Sequence, residues 1–511
     1  MNGPVVAFLA LALAAPPLAA VLGLAAPLLA ALALVRVLAP TTRDRATLVL
    51  RAATVALATT GIASLLAVAK GVTGTPLAAG ALEAVVVVAS LAVLAIGARP
   101  LRPRTGLASP APDLPPLAAM PPMGTPRAAP ARAGRATVVA RVALAVGVIA
   151  ALVAVVARAR KLPDGDWDAI CFWTFRARLL AAAPADPAAI FTHHLPDTHP
   201  DYPLLLPGAV AWIEAHTGVT RHTGLALGLL FHAALVAAVG GTVAALRRAP
   251  AAAIAALAVL TLPRFLRLAP SWTADLPVAA MFATAVGWLA LASETASPSR
   301  DREARRLAGL ALGLALWTKN EGCAQFVAGA LTVVVLRSPT LSRARSLLAL
   351  VVGAAPFLVA YAVQHALWAP ANDLVAGQGP STLARLTDPA RWALLLREMA
   401  ATLVSTKSWG LAFPVALLAL AAASIGPLAR RVPFLRPARD GATGTAPLVA
   451  HRPVTLCIAL VLAAYATVYA ITPQPLAWHL DTSCERIVAH VVPSVFLAVV
   501  LRLSPPRHCA S

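Results

Sequence analysis

Charge is scarce in this chain. Asp, Glu, Lys and Arg make up 12% of its 511 residues, where a soluble domain carries roughly 25%. With 59% hydrophobic residues and a mean hydropathy of +0.78, an ordinary water-soluble fold is excluded. Cysteine is sparse as well. The five present (Cys171, Cys323, Cys457, Cys484 and Cys509) make no CxxC and no metal-ligand spacing, which excludes a zinc ribbon and a disulfide framework. One bond between Cys171 and Cys484 stays open, because both fall on the same predicted side of a membrane. There is no HExxH, P-loop, GxGxxG or SxxK, so nucleotide-driven chemistry has no support. Short segments of alternating polarity, the mark of a membrane β-barrel, are missing. So is an internal repeat, which removes the usual sign of a transporter built from paired halves.

What is present is a succession of apolar runs of about 20 residues, the length that crosses a bilayer as a helix. They predict an all-α polytopic membrane protein of about 11–13 transmembrane helices. The spans are placed at roughly 5–35, 48–69, 80–98, 137–157, 225–246, 250–263, 275–293, 307–318, 321–336, 346–369, 409–429, 454–472 and 487–501. The first lacks a basic n-region and is too long for a signal-peptide core, so it reads as a span. The spans at 250–263 and 307–318 are short enough to be broken helices dipping toward a cavity.

The net charge of +21 follows the same topology. The segments 36–51, 99–141, 247–248, 294–306, 337–345, 430–452 and 502–511 hold 27 of the 42 Lys and Arg but 6 of the 21 Asp and Glu. All the excess therefore lies on one side, as the positive-inside rule requires of a cytoplasmic face. A basic footprint for nucleic acid would cluster instead on one surface. The expected location is a bacterial cytoplasmic (inner) membrane, with the lipid bilayer as partner and no nucleic acid.

Three regions follow. Residues 1–98 form an N-terminal transmembrane block whose lone buried-looking charge is Glu83, expected to pair inside the block. Residues 99–136, rich in Pro, Ala and Arg, read as a disordered cytoplasmic linker. Residues 137–511 form the core, opening with a span that leads into a long outer loop, 162–222. Within that loop, 167–183 predicts an amphipathic helix lying in the interface through Trp167, Ile170 and Trp173, with Phe172 and Leu179, while Arg176 and Arg178 reach outward. Shorter outer loops follow near 264–275, 318–321, 370–408 and 472–486.

Chemistry concentrates in these loops. Asp164-Gly165-Asp166-Trp167-Asp168 puts three carboxylates into five residues beside a bilayer, where ionisable groups are costly and mark a site. Asp164 and Asp166 also suit the N-terminus of the following helix. Asp168, one residue past an interfacial Trp, is the candidate general base. His193-His194 and His199-x-Asp201 could gather a cation or be solvated loop residues; no metal site is assigned. Asp275, the run Lys319-Asn320-Glu321, and His479, Ser483, Glu485 and Arg486 sit in otherwise apolar surroundings. Arg486 opens the last span. Its planar fork suits a phosphate, although an interfacial Arg also snorkels. Lys319, Arg264 and Arg267 pose the same choice.

Several of these stretches resemble one family. Trp167-Asp168-Ala169 with Trp173 and a basic residue at 176, followed by His199-Pro200-Asp201-Tyr202-Pro203-Leu204-Leu205-Leu206-Pro207, is similar to the first outer loop of bacterial GT-C membrane glycosyltransferases. Trp317-Thr318-Lys319-Asn320-Glu321-Gly322 resembles their mid-chain motif. Thr472-Pro473, Leu476-Ala477-Trp478-His479-Leu480, Thr482-Ser483 and Glu485-Arg486 resemble their last outer loop, and Ala274-Asp275-Leu276-Pro277 a weaker fourth motif. The likeness covers about 160–500 and leaves 1–136 unmatched. Arg176 stands where the pattern usually has Lys, and Cys171 where a bulkier residue is common.

That family is similar to the protein O-mannosyltransferases and aminoarabinose transferases. The resemblance implies a GT-C-like core that moves a sugar from a polyprenyl-phosphate donor to an extracytoplasmic glycan, lipid or protein acceptor. It implies Asp168 as base with Asp166 beside it. Asp201 and Tyr202 would shape the cavity, with Asp275 and Glu321 nearby. Lys319, His479, Ser483 and Arg486 would hold the donor. Direct attack would invert the anomeric centre and needs one carboxylate. No cofactor is required, and a divalent cation is an option. The alternatives are a transporter or flippase of a lipid-linked glycan, or a non-catalytic membrane assembly factor.

Overall fold

A computed structural model describes residues 16–40, 45–77, 80–98, 131–182, 186–191, 199–218, 222–247, 249–424 and 449–504. Among them every regular element is a helix. The chain is an all-α, multi-pass membrane protein: seven helices are long and apolar enough to cross a bilayer, and an eighth span forms if a pair bent by 42° is counted as one.

The helices are α1 (Pro16–Leu38), α2 (Leu48–Val72), α3 (Ala81–Ala98), α4 (Ala131–Ala159), α5 (Phe175–Ala181), α6 (Leu205–Thr217), α7 (Thr223–Leu246), α8 (Ala249–Leu260), α9 (Pro263–Leu268), α10 (Asp275–Glu294), α11 (Pro298–Thr318), α12 (Gly322–Val335) and α13 (Arg343–Leu367). Four short helices follow, α14 (Asp373–Ala376), α15 (Ser381–Thr387), α16 (Pro389–Leu403) and α17 (Thr406–Trp409). The last are α18 (Ala412–Ser424), α19 (His451–Ile471), α20 (Leu476–Ala489) and α21 (Val492–Leu503).

The centre is α10. It is apolar all round and buried along nearly its whole length, as expected of a helix enclosed by others. Around it stand α2, α7, α11, α19 and α21. Beside it, α11 and α13 cross at backbone contact. A Cβ on Gly309 would lie 1.9 Å from the Leu350 carbonyl oxygen, and one on Gly353 would lie 1.8 Å from that of Arg306. Only glycine permits that approach, the small-residue packing typical of membrane helices.

Several sequence expectations change here. The 307–318 span is the second half of the 21-residue α11, whose charged first turns are paired: Arg305 Nε donates to Asp301 at 2.6 Å, and Ser338 and Thr340 hydroxyls donate to the same carboxylate. The expected linker is helical from Ala131 onward, and its remainder lies outside the described residues. The expected loops at 370–408 and 472–486 hold α14–α17 and most of α20. Cys171 and Cys484 are both free.

The N-terminal block is not a separate body. Its α2 packs on α6, α7 and α11. Glu83 pairs with Lys70 inside the block, as expected, but also takes His216 Nε2 from α6 at 3.0 Å. Lys70 donates further to the Leu77 carbonyl at 2.9 Å, and Trp212 Nε1 donates to that of Gly23 at 2.7 Å. This buried knot ties α1, α2 and α3 to α6.

Chain direction sorts the polar residues into two ends. Asp275 opens α10 and Glu294 closes it, about 30 Å apart at 1.5 Å per residue. At the Glu294 end, its carboxylate accepts from the Ala450 N–H at 2.8 Å, and Arg247 donates to the Leu501 carbonyl at 2.8 Å. The Asp275 end gathers the residues described next.

Candidate functional site

Asp275 is fully buried at the start of α10. A lone carboxylate there would carry a desolvation penalty of several kcal/mol, so its partners define the site. Arg486 Nε donates to Oδ2 at 2.9 Å, Lys319 Nζ to Oδ1 at 3.0 Å, and His490 Nε2 lies 3.2 Å from Oδ1. Three elements thereby meet at one carboxylate: the α11–α12 corner, α20 and α10. The Arg486 fork extends outward, with Nη2 2.5 Å from Asp168 Oδ2, as an ionic contact without aligned hydrogen-bond geometry. Lys319 also reaches Glu321 Oε1 at 2.7 Å. The result is one network, Asp168–Arg486–Asp275–Lys319–Glu321.

Behind it runs a neutral relay. Gln325 Nε2 donates to the Tyr465 hydroxyl at 3.4 Å, which lies 3.1 Å from His490 Nδ1. The network assigns His490 the tautomer with Nε2–H toward Asp275 and Nδ1 accepting from Tyr465. Burial alone would lower the Lys319 ammonium, but the Asp275 and Glu321 carboxylates outweigh it and hold it above the usual lysine value. Burial alone would raise Glu321, yet Lys319 keeps it below the ordinary carboxylate range.

Two strained turns deliver the acidic residues. Trp272, three residues before Asp275, has φ +58°, and His199, two before Asp201, has φ +45°. Such conformations in large side chains persist only where surrounding packing fixes them. Gly165, at φ +81°, turns the 164–166 loop so that the Asp166 N–H donates to the Ser271 carbonyl at 3.3 Å. A Cβ there would stand 2.9 Å from that oxygen. Burial, with the Asp168 charge beside it, pushes the Asp166 carboxyl up to about 6.

A second polar group adjoins the network. Asp201 Oδ2 accepts from Asn320 Nδ2 and Asn372 Nδ2, both at 2.6 Å. The Tyr202 carbonyl accepts from Arg176 Nη1 at 2.6 Å and Gln364 Nε2 at 3.1 Å. The Tyr202 ring stacks between His199 and Trp173, at centroid distances of 4.8 and 5.8 Å, with Lys319 Nζ 5.9 Å from its centre.

The interfacial reading of 167–183 is therefore half corrected. Trp167 and Ile170 are exposed, but Trp173 and Arg176 turn inward and are buried. The cause is a π-helical stretch, Ala169–Thr174, ahead of α5. Its wider turn moves every later side chain around the axis. Burial brings the Arg176 guanidinium down to about 9.

Of the residues singled out in the sequence, Asp168, Asp275, Lys319, Glu321 and Arg486 share the network. Asp201 and Tyr202 touch it through Asn320 and Lys319, and Asp166 lies in the adjoining turn. His479 and Ser483 do not join. His479 Nδ1 lies 2.9 Å from Thr472 Oγ1, and Ser483 Oγ donates to the His479 carbonyl at 2.6 Å and meets the Tyr469 hydroxyl at 2.7 Å. They do share a helical face with Arg486 and His490, at spacings of four, three and four. Arg264 and Arg267 leave the site, both pairing with Glu485, at 3.4 and 3.2 Å. Arg486 belongs to α20, not to the final helix. His193 and His194 lie outside the described residues.

His490 was missed in the sequence, though its position one turn past Arg486 in an apolar run was a usable signal. Asn372 and Gln364 gave none, being remote in the chain. No known protein family, curated protein or solved structure matches the chain.

Proposed function

We propose that the protein is an integral-membrane glycosyltransferase that takes a sugar from a polyprenyl-phosphate donor and passes it to an extracytoplasmic acceptor. The observation that carries this reading is the junction of Asp168 and Arg486. A surface carboxylate and a phosphate-competent guanidinium touch at the end of a bundle, backed by a buried carboxylate and a second cation.

Chemistry of this kind needs both halves. The acceptor hydroxyl attacks the anomeric carbon while its proton passes to Asp168 Oδ. The bond from that carbon to the phosphate oxygen breaks, and the electron pair leaves on the carrier phosphate, where Arg486 and Lys319 meet the developing charge. Configuration inverts. Arg486 contacts Asp168, so a donor phosphate that takes up the fork would free the carboxylate to act as base. Asp275 holds Arg486 and Lys319 in place throughout. Asp201, Tyr202 and Glu321 border the same site and would contact donor or acceptor, with His479 and Ser483 farther along the α20 face. The reading requires no cofactor and admits a divalent cation. It sets the site on the extracytoplasmic side of a bacterial inner membrane, opposite the Arg-rich end.

The test is the product formed from a radiolabelled polyprenyl-phosphate sugar in membranes containing the protein. Label is expected to pass to a larger acceptor with release of polyprenyl phosphate. Donor recovered intact in membranes that supply all endogenous acceptors would overturn the reading.

A pH dependence follows from Asp166. Its carboxyl, raised to about 6, is neutral below that pH and ionised above it. A neutral neighbour neither accepts a proton nor supports Asp168 as a base. Transfer is expected to rise through an acid limb near pH 6, and Asp166→Asn, neutral at every pH, should hold transfer near its low-pH level and lose that limb. An unmoved limb in the variant would assign the titration to another group.

A further inference from the structure

Arg176 of α5 takes no part in the proposed proton and phosphate steps, yet it is a costly side chain to hold beside the site. It is 1% exposed. Nη1 donates to the Tyr202 carbonyl at 2.6 Å, and the guanidinium lies 5.3 Å from the centre of the Phe191 ring. Among the described residues, Nε and Nη2 have no hydrogen-bond partner. Asp201, the carboxylate whose field reaches it, gives Oδ2 to Asn320 and Asn372 instead. A buried cation with half its donors empty burdens the fold, and an apolar side chain of similar length would fill the same space at less cost. Packing therefore does not account for an arginine here.

What Arg176 touches gives the account. The Tyr202 carbonyl is held from two helices, by Arg176 of α5 and by Gln364 Nε2 of α13 at 3.1 Å, which together can use both its lone pairs. The Tyr202 ring packs on Trp173 and His199, at centroid distances of 5.8 and 4.8 Å and interplanar angles of 19° and 12°. Over that ring lies the Lys319 ammonium, 5.9 Å from its centre, within the reach of a cation–π contact. The ammonium's other partners are the carboxylates of Asp275 and Glu321, at 3.0 and 2.7 Å. Tyr202 is thus the wall against which Lys319 is set, and Arg176 braces the wall. One segment supplies base and brace together: Asp168 caps the π-helical stretch, whose wide turn brings Trp173 and Arg176 inward.

We infer that Arg176 is a positioning residue: through the Tyr202 carbonyl it fixes the Tyr202 ring, and through the ring the Lys319 ammonium. The inference rests on the transfer reading for the part that Lys319 plays at the carrier phosphate. A displacement of about 1 Å in a group that meets developing charge costs about a hundredfold in rate. The loss therefore falls on the chemical step and not on donor binding.

The test compares the full-length parent with Arg176→Met and Arg176→Lys, by thermal unfolding in detergent and by transfer from a radiolabelled polyprenyl-phosphate sugar over a range of donor concentrations. Methionine fills the space, packs on Phe191 and removes the buried charge, so Arg176→Met is expected to melt with the parent or above it. Its kcat is expected to fall about ten- to a hundredfold while the donor KM changes less than about threefold, because Arg176 does not hold the donor. Arg176→Lys keeps a charged donor for the Tyr202 carbonyl and should recover most of the lost kcat. A Tm of Arg176→Met well below the parent would make the arginine a folding residue and overturn the inference, and that result is read whether or not transfer is seen. A parent-like kcat in Arg176→Met would overturn it too, as would a raised donor KM at unchanged kcat, which places Arg176 on the donor itself. The two failures are distinct: no transfer by the parent defeats the transfer reading and with it the part given to Lys319, whereas transfer by parent and Arg176→Met alike defeats the positioning role alone.

Discussion

Asp168→Asn is expected to reduce sugar transfer by about a hundred- to ten-thousandfold, the usual contribution of a positioned general base. The amide keeps the shape of the carboxylate, and Asp168 is partly exposed at the start of the π-helical stretch, so the fold should not change. Donor binding should survive or tighten, because Arg486 loses the carboxylate that occupies its fork and keeps Asp275. The measurement is transfer of label from a polyprenyl-phosphate sugar beside binding of the same donor, both in membranes holding equal amounts of variant and parent. Normal transfer by Asp168→Asn would remove Asp168 as base and leave Asp166 as the carboxylate to test. Transfer and donor binding lost together would mean that the residue holds the donor.

The Asp166–Asp168 pair shows how two carboxylates in one loop come to differ. Asp166 has burial and a like charge beside it and no cation in contact, and it is pushed up to about 6. Asp168 meets Arg486. In the proposed transfer, surroundings that differ in this way would suit the two residues to different parts.

Much of this architecture was legible in the sequence, for a physical reason. A bilayer forces long apolar helices, so the spans of α2, α7, α10, α13 and α19 were readable within a few residues. Polar groups in such a chain are too costly to be incidental, so Asp168, Asp275, Lys319, Glu321 and Arg486 could be singled out one by one. Three things were hidden. The π-helical turn changes the phase of 173–176, which no apolar period reveals, and so Trp173 and Arg176 were turned the wrong way. Amphipathic helices at the membrane surface look like loops by hydropathy. The α20 stripe Leu476, Leu480, Cys484 and Ile487 was present but diluted by the polar face that carries the site. Partners fixed by tertiary structure alone, such as Asn372 on Asp201, leave no trace in local sequence.

Asp275→Asn should be the most damaging single change to the protein itself. The substitution removes the charge that neutralises Lys319 and Arg486 and sets an amide N–H, a donor, against one of the donors that Asp275 now accepts from. Removing one partner from a buried ion pair costs about 3–5 kcal/mol, because the opposite charge stays behind without compensation. Lys319 keeps Glu321 and Arg486 keeps Asp168, which limits the loss but leaves no carboxylate between the two cations. A marked fall in Tm in detergent is expected, with transfer lost. The double variant Asp275→Asn/Arg486→Gln removes one orphaned cation. It should regain part of the stability and none of the transfer, since Arg486 is the group proposed to face the donor phosphate. If Asp275→Asn melts with the parent, Glu321 and Asp168 suffice to hold the cations, and Asp275 is not the hub. If the double variant regains transfer, Arg486 does not hold the donor.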